Sequence, residues 1–211
     1  MAITWNASDA NAYTTVSGGG LVAANNTTGQ EAHVRSAGAF AAGSKVYCEV
    51  TATALTSSDT LKFTVGVFAA ASTLSGDLYN YFTAGLIRLA DGPIYNLGTN
   101  VTSTSDPVSA SDVIRVCIDL VNNRAWFARN GGAWNASGTA NPATNTGGID
   151  IAALSDPRLL WSSGYGAATI ATANFGASAF AYSPPSGFAG PDAGGGSYSL
   201  AGTAAGVGAA A

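Results

Sequence analysis

Apolar and polar positions alternate with a period of two along most of this chain. Leu61-Lys62-Phe63-Thr64-Val65-Gly66-Val67-Phe68 sets apolar residues against small or polar ones, and Tyr81-Phe82-Thr83-Ala84-Gly85-Leu86-Ile87-Arg88 does so less strictly. Such alternation turns one side of an extended strand toward a core. Lys45-Val46-Tyr47-Cys48-Glu49-Val50 and Val113-Ile114-Arg115-Val116-Cys117-Ile118-Asp119-Leu120 read the same way. In the second run Ile114, Val116, Ile118 and Leu120 share one face, which leaves Arg115, Cys117 and Asp119 on the other. Polar joints separate the strands: Thr56-Ser57-Ser58-Asp59, Asp91-Gly92-Pro93 and Ser103-Thr104-Ser105-Asp106-Pro107 all carry turn chemistry. The clearest local unit is a hairpin. Ser111-Asp112 opens its first strand, Val121-Asn122-Asn123 turns it, Arg124-Ala125-Trp126-Phe127-Ala128-Arg129 returns it, and Asn130-Gly131 supplies the next tight turn. No long window has helical spacing with caps. Short strands at regular spacing, joined by Gly and Asn turns, predict an all-β antiparallel sandwich or barrel.

Composition narrows what such a fold could do. Charged residues are 9% of the 211, against a usual value of about 25%. With 8 Lys and Arg against 12 Asp and Glu the net charge is −4, so no basic stripe exists to neutralise a phosphate backbone, and nucleic-acid binding is not expected. No apolar run reaches the roughly 18 to 20 residues of a membrane span, and the first residues lack the cationic and apolar regions of an export signal. No membrane association and no signal peptide are expected. The surface this composition implies is polar but nearly uncharged, built from Ser, Thr, Asn and Gly, and it suits a protein that packs against identical neighbours or works outside a cell.

The inventory of reactive side chains is short. His33 is the single histidine, and Glu31 and Glu49 are the only glutamates. A zinc site needs three or four clustered His, Cys or carboxylate ligands, and the spacing offers no such set, so no metal or cofactor is expected. No Gly-x-Ser-x-Gly elbow presents a nucleophile, and no phosphate-binding loop is present. Asp59, Asp91, Asp106 and Asp156 fall in turns, where capping explains them. Cys48 and Cys117 lie on opposite kinds of face in two predicted strands, which favours two separate thiols over a disulfide. Arg115, Arg124 and Arg129 lie on or beside one hairpin and could form a small anion site, although solvated strand charges account for them more simply. The Asn-x-Ser/Thr triplets at Asn6, Asn25, Asn26, Asn100 and Asn135 read as composition rather than glycan acceptors.

Several of these segments resemble one family. The run from Asp112-Val113-Ile114 through Asp119-Leu120, followed by Trp126-Phe127-Ala128-Arg129-Asn130-Gly131, is similar to the central hairpin of SPRY domains. Gly43-Ser44-Lys45-Val46-Tyr47-Cys48-Glu49-Val50 resembles the family's Gly-Lys-Trp-Tyr-Trp-Glu-Val strand, with Val46 and Cys48 in place of heavier aromatics. Val65-Gly66-Val67 resembles its Gly-Val-Gly strand. Ala173-Asn174-Phe175-Gly176 and Phe180-Ala181-Tyr182-Ser183-Pro184-Pro185-Ser186-Gly187-Phe188 resemble its closing segments. Thr4-Trp5-Asn6-Ala7-Ser8-Asp9, Val16-Ser17-Gly18-Gly19 and His33-Val34-Arg35-Ser36 are similar to segments that precede SPRY-like domains in bacteriophage and prophage structural proteins. The loops around 74–80 and 134–148 match nothing in that pattern.

The resemblance implies a SPRY, concanavalin A-like jelly-roll sandwich over residues 1–189, followed by a Gly/Ala-rich arm or linker over 190–211. It implies a binding scaffold and no catalysis. The expected role is a structural and adhesive virion protein, made in a bacterial cytoplasm: a head decoration, fibre, spike or tail-tip subunit. Its partners would be other virion proteins, further copies of itself and the polysaccharide of the host surface. Glycan binding calls for flat aromatic faces beside amides or carboxylates. The loop residues Asp77, Tyr79, Asn80 and Tyr81, then Trp134 and Asn135, then Trp161 and Tyr165 are the candidates, while Trp126 and Phe127 read as packing residues. In the arm, Tyr198 and Leu200 are candidate assembly residues, placed to add a strand to a neighbouring chain. Two other readings stand beside this one: a purely structural capsid or tail protein that binds no glycan, and a surface glycoside hydrolase, for which Glu49 is the strand-borne glutamate.

Overall fold

A computed structural model of the chain describes residues 2–56, 63–74, 85–102, 105–165 and 168–192. Thirteen strands form in it: β1 (Thr14–Ser17), β2 (Val22–Asn25), β3 (Ala32–Arg35), β4 (Lys45–Ala54), β5 (Thr64–Ala69), β6 (Gly85–Arg88), β7 (Ile94–Asn96), β8 (Thr99–Thr102), β9 (Val113–Asp119), β10 (Arg124–Arg129), β11 (Ile149–Asp150), β12 (Pro157–Ser163) and β13 (Ile170–Asn174). They build two antiparallel sheets, one ordered β1-β2-β13-β4-β9-β10-β11 and the other β3-β12-β5-β6-β7-β8. The predicted sandwich is therefore the observed architecture: the strands read from the sequence at 45–50, 113–120 and 124–129 form, and those read at 61–68 and 81–88 form as β5 and β6, with 61–62 and 81–84 lying outside the described residues.

The period-two reading also sets the faces. Val46, Cys48 and Val50 of β4 lie in the core between the sheets with Ile114, Val116 and Ile118 of β9, Ala125 and Phe127 of β10, and Leu159 and Trp161 of β12. Register explains the two thiols. Cys48 pairs with Val116 and Tyr47 with Cys117 across β4 and β9, so adjacent strands point the cysteines to opposite faces of one sheet. Both are free and fully buried, and burial pushes both thiols well above their ordinary range. Gly66 lies within β5, where a Cβ would come within 2.7 Å of the Leu86 carbonyl and 2.8 Å of Ile87 Cγ2. Only a bare backbone lets β6 lie this close.

The outer face of the larger sheet is covered as well. Tyr47, Cys117, Trp126 and Phe188 pack there, with Trp134, Ala140 and Phe180 against them. Residues 175–192 fold back over β4: the Tyr47 N–H donates to the Ala189 carbonyl at 2.8 Å, and Tyr47 meets Phe180 edge-on at 4.8 Å. Packing continues past residue 189, because the Asp192 carboxylate accepts from the Ile3 N–H at 2.8 Å. The beginning and the end of the described chain therefore meet.

Candidate functional site

Antiparallel register gives the sandwich two ends. At the upper end lie Asn25, Ala54, Ser163 and Ile170, the tips of β2, β4, β12 and β13. At the lower end lie Arg35, Ala69 and Asp119, the tips of β3, β5 and β9.

The upper end presents a supported loop. Residues 26–31 join β2 to β3 and read Asn-Thr-Thr-Gly-Gln-Glu, uncharged apart from the buried Glu31. Asn25, 2% exposed, holds this loop from below. Its amide nitrogen donates to the Gln30 carbonyl at 2.8 Å, to Ser163 Oγ at 3.0 Å and to the Gly164 carbonyl at 3.0 Å, while its oxygen accepts from the Thr27 N–H. The Gly29 N–H reaches the Tyr165 carbonyl at 2.8 Å, and the Asn26 N–H reaches that of Tyr13 at 2.9 Å. Tyr13 and Tyr165 thus flank one loop, 36% and 44% exposed, two of the five large apolar side chains that face water among the described residues. Between them Asn26, Thr28 and Gln30 are exposed. Flat aromatic faces beside neutral amides and hydroxyls suit a polyhydroxylated or peptide ligand.

The charged groups of the same end are engaged in the fold. Asp106 takes Arg88 at 2.8 Å and Arg129 at 2.6 Å, and Arg129 also reaches Asp112 at 3.0 Å, so the network ties β6 of one sheet to β10 of the other. Burial draws the Arg88 guanidinium below its ordinary range against the pull of Asp106. The three arginines read from the hairpin do not gather into an anion site. Arg124 pairs with Asp150 and Arg129 with Asp106 and Asp112, while Arg115 is 8% exposed rather than solvated. Arg115 lies 4.5 Å from the Trp134 ring and 5.2 Å from that of Tyr182 and donates to the Gly132 carbonyl. Burial of one strand face under the loops, which alternation alone does not reveal, accounts for the difference.

Glu49 neighbours this arginine and is equally committed. Its carboxylate, 3% exposed, accepts from Tyr47 Oη and from the Ala181 and Tyr182 N–H groups, each at 2.8 Å. Burial, then the hydrogen bond to Glu49 and the charge of that carboxylate, push the Tyr47 phenol above its ordinary range. The arrangement fastens residues 180–182 to the sheet.

The residues singled out in the sequence fall in different places. Tyr165 belongs to the upper platform. Trp161 is enclosed in the core, 6.3 Å from Phe63. Trp134 lies over Arg115 on the outer face of the larger sheet, and Asn135 is 5% exposed, its oxygen accepting from the Phe127 N–H and its amide donating to the Gly147 carbonyl. The structure does not bring these together. Asp77, Tyr79, Asn80 and Tyr81, and likewise Tyr198 and Leu200, lie outside the described residues. The sequence reading missed Tyr13, Asn26 and Gln30. An unbroken run of uncharged polar residues closing on Gly29 between two strands is the signal that marks them. Among the described residues no three His, Cys, Asp or Glu side chains are grouped to hold a metal.

No family model matches the chain, and no curated protein matches it. Solved structures do. The SPRY domain of human HERC1 superposes with a TM-score of 0.61 at 12% identity, covering 80% of this chain and 96% of that one. The fold is SPRY-like. A human SPRY domain gives 0.57 at 15% identity over 79% and 98% of the two chains, and the TRIM65 PSpry domain 0.55 at 14% over 82% and 92%. At such identities the SPRY likeness concerns the path of the backbone and the packing of its two sheets. The platform residues belong to this chain's own sequence.

Proposed function

We propose that this SPRY-like chain is a non-catalytic structural and adhesive protein of a virion, a head-decoration, fibre, spike or tail-tip subunit. It binds host-surface polysaccharide through the upper end of the sandwich, and residues 190–211 join it to neighbouring chains. The observation that carries the binding role is the platform itself, with Tyr13 and Tyr165 flanking a neutral loop that Asn25 fixes from below. A surface held in place before the ligand arrives loses little entropy on binding. The virion setting is supported by the phage-like segments at 4–9 and 33–36 and by the scarcity of charge. A non-catalytic role is supported by the carboxylate of Glu49, which accepts from three of the chain's own donors.

The test is binding of the purified chain to bacterial cells and to their extracted polysaccharide. Tyr13→Ala and Tyr165→Ala should each weaken binding about tenfold, or about 1.4 kcal/mol. Trp134→Ala should lower stability and leave binding in place. Full binding by the Tyr13/Tyr165 double variant would remove the platform from the reading. No binding by the unmodified chain to any host surface would leave a purely structural role.

A further inference from the structure

The lower end holds a feature that recognition at the upper end does not use. A cavity of about 500 Å³ opens there, walled by Phe40, Leu120, Leu154 and Pro157 and edged by Asn123 and Asp156. That volume suits a small ligand or a few side chains. Apolar surface continues past its mouth, because Val121 in the turn between Leu120 and Asn123 is 58% exposed. Charges around this end come as matched pairs: Lys45 with Asp119, Arg124 with Asp150, and Arg158 with Asp156, at 3.1, 2.7 and 2.6 Å. Asp192, held by the Ile3 N–H, adds one further carboxylate to this end, so two copies can bring these ends together against little like-charge repulsion.

The arm departs from the same end. Asp192 grips the Ile3 N–H, the neighbouring Thr4 carbonyl accepts from the Ala37 N–H at 2.7 Å, and two residues further on Ala39 begins the cavity wall. Beyond Asp192 the sequence has no charge, and Tyr198 and Leu200 are its large apolar residues apart from Val207. Spaced two apart, they point the same way from any extended stretch. The six-residue step from Asp192 to Tyr198 spans at most about 20 Å.

We infer that this cavity is the socket for the Tyr198-Ser199-Leu200 segment of a second copy of the chain. An arm folded into its own cavity leaves Val121 in water, whereas a second copy brings a domain surface along with its arm. When each copy gives its arm and receives one, the contact is self-complementary and closes at two. The inference rests on reading residues 190–211 as an assembly arm, and it adds the place where that arm binds.

Disulfide trapping on the full chain tests it. Ala41 lines the cavity, and the native Cys48 and Cys117 are fully buried, so Ala41→Cys with Tyr198→Cys provides the accessible thiol pair. Oxidised glutathione should yield a covalent dimer in the double variant and far less in either single variant. Leu200→Ala should reduce the dimer fraction, by light scattering at fixed concentration, at least tenfold. A link formed within one chain would overturn the exchange and show the arm closing its own cavity. An oligomer with no link and no response to Leu200→Ala would overturn the socket while keeping the assembly reading. A monomer with no link at any concentration would end both.

Discussion

Asn25 does more for the candidate site than any residue that touches solvent. One buried amide serves the Gln30 carbonyl, the Ser163 hydroxyl and the Gly164 carbonyl, and its oxygen takes the Thr27 N–H. Replacing it by alanine removes these four bonds and leaves Ser163 Oγ with its longer bond to the Gly164 carbonyl, 3.3 Å, at a cost of about 1–3 kcal/mol. Asn25→Ala should lower the urea midpoint accordingly. It should also weaken polysaccharide binding and speed amide exchange across 26–31 more than elsewhere, a local pattern that a general loss of stability does not produce. Asparagine at this position says nothing about its role in the sequence, where it reads as one member of an Asn-x-Thr triplet. Its importance comes from Ser163 and Gly164, more than 130 residues away along the chain.

At the level of elements, the strands were legible because alternation is a local property, and Cys48 and Cys117 show how far it reaches. The faces of β4 and β9 follow from the sequence, and so does the improbability of a disulfide. What covers those faces does not. All seven residues of β9 are buried, since residues 134–140 and 180–188 lie over its outer side. Those covering segments have no periodicity, so Arg115 reads as a surface charge when it lies between two aromatic rings. For the same reason Trp161 and Tyr165, four residues apart in one predicted loop region, part company, the first into the core and the second into water. Close approach is another element-scale property. Gly66→Ala would drive a methyl into the Leu86 carbonyl and the Ile87 side chain, and β5 and β6 would have to separate. Overpacking of that kind costs about 1–3 kcal/mol. A lowered urea midpoint with an unchanged denaturant slope is the expected result.

Across the whole molecule, few charges remain and most are tied down, which sets the response to pH. Burial would raise the Asp119 carboxyl, but hydrogen bonds from the Asn122 side chain and backbone, from Lys45 and from the Val121 N–H hold it below its usual range. In Asp112 burial is likewise outweighed by bonds from Ser109, Asn130 and Arg129. A carboxylate depressed in the folded state stabilises the fold fully above its unfolded value, near 4, and that contribution is lost as pH falls through the folded value. As these two carboxylates take up protons, urea midpoints should drop below about pH 4. Asp119→Asn should begin lower at pH 7 and fall less steeply.

The clasp between Asp192 and Ile3 has a mechanical consequence. The described chain starts and finishes at one point, so a pull applied between a structure bonded to the first residues and one bonded to the arm enters and leaves the domain side by side. The force would run through one N–H shared by two carboxylate oxygens at a corner instead of along the strands of the two sheets. A domain strung this way works as a pendant, hanging from its attachment while tension passes beneath it, with its Tyr13 and Tyr165 end turned outward and unstrained.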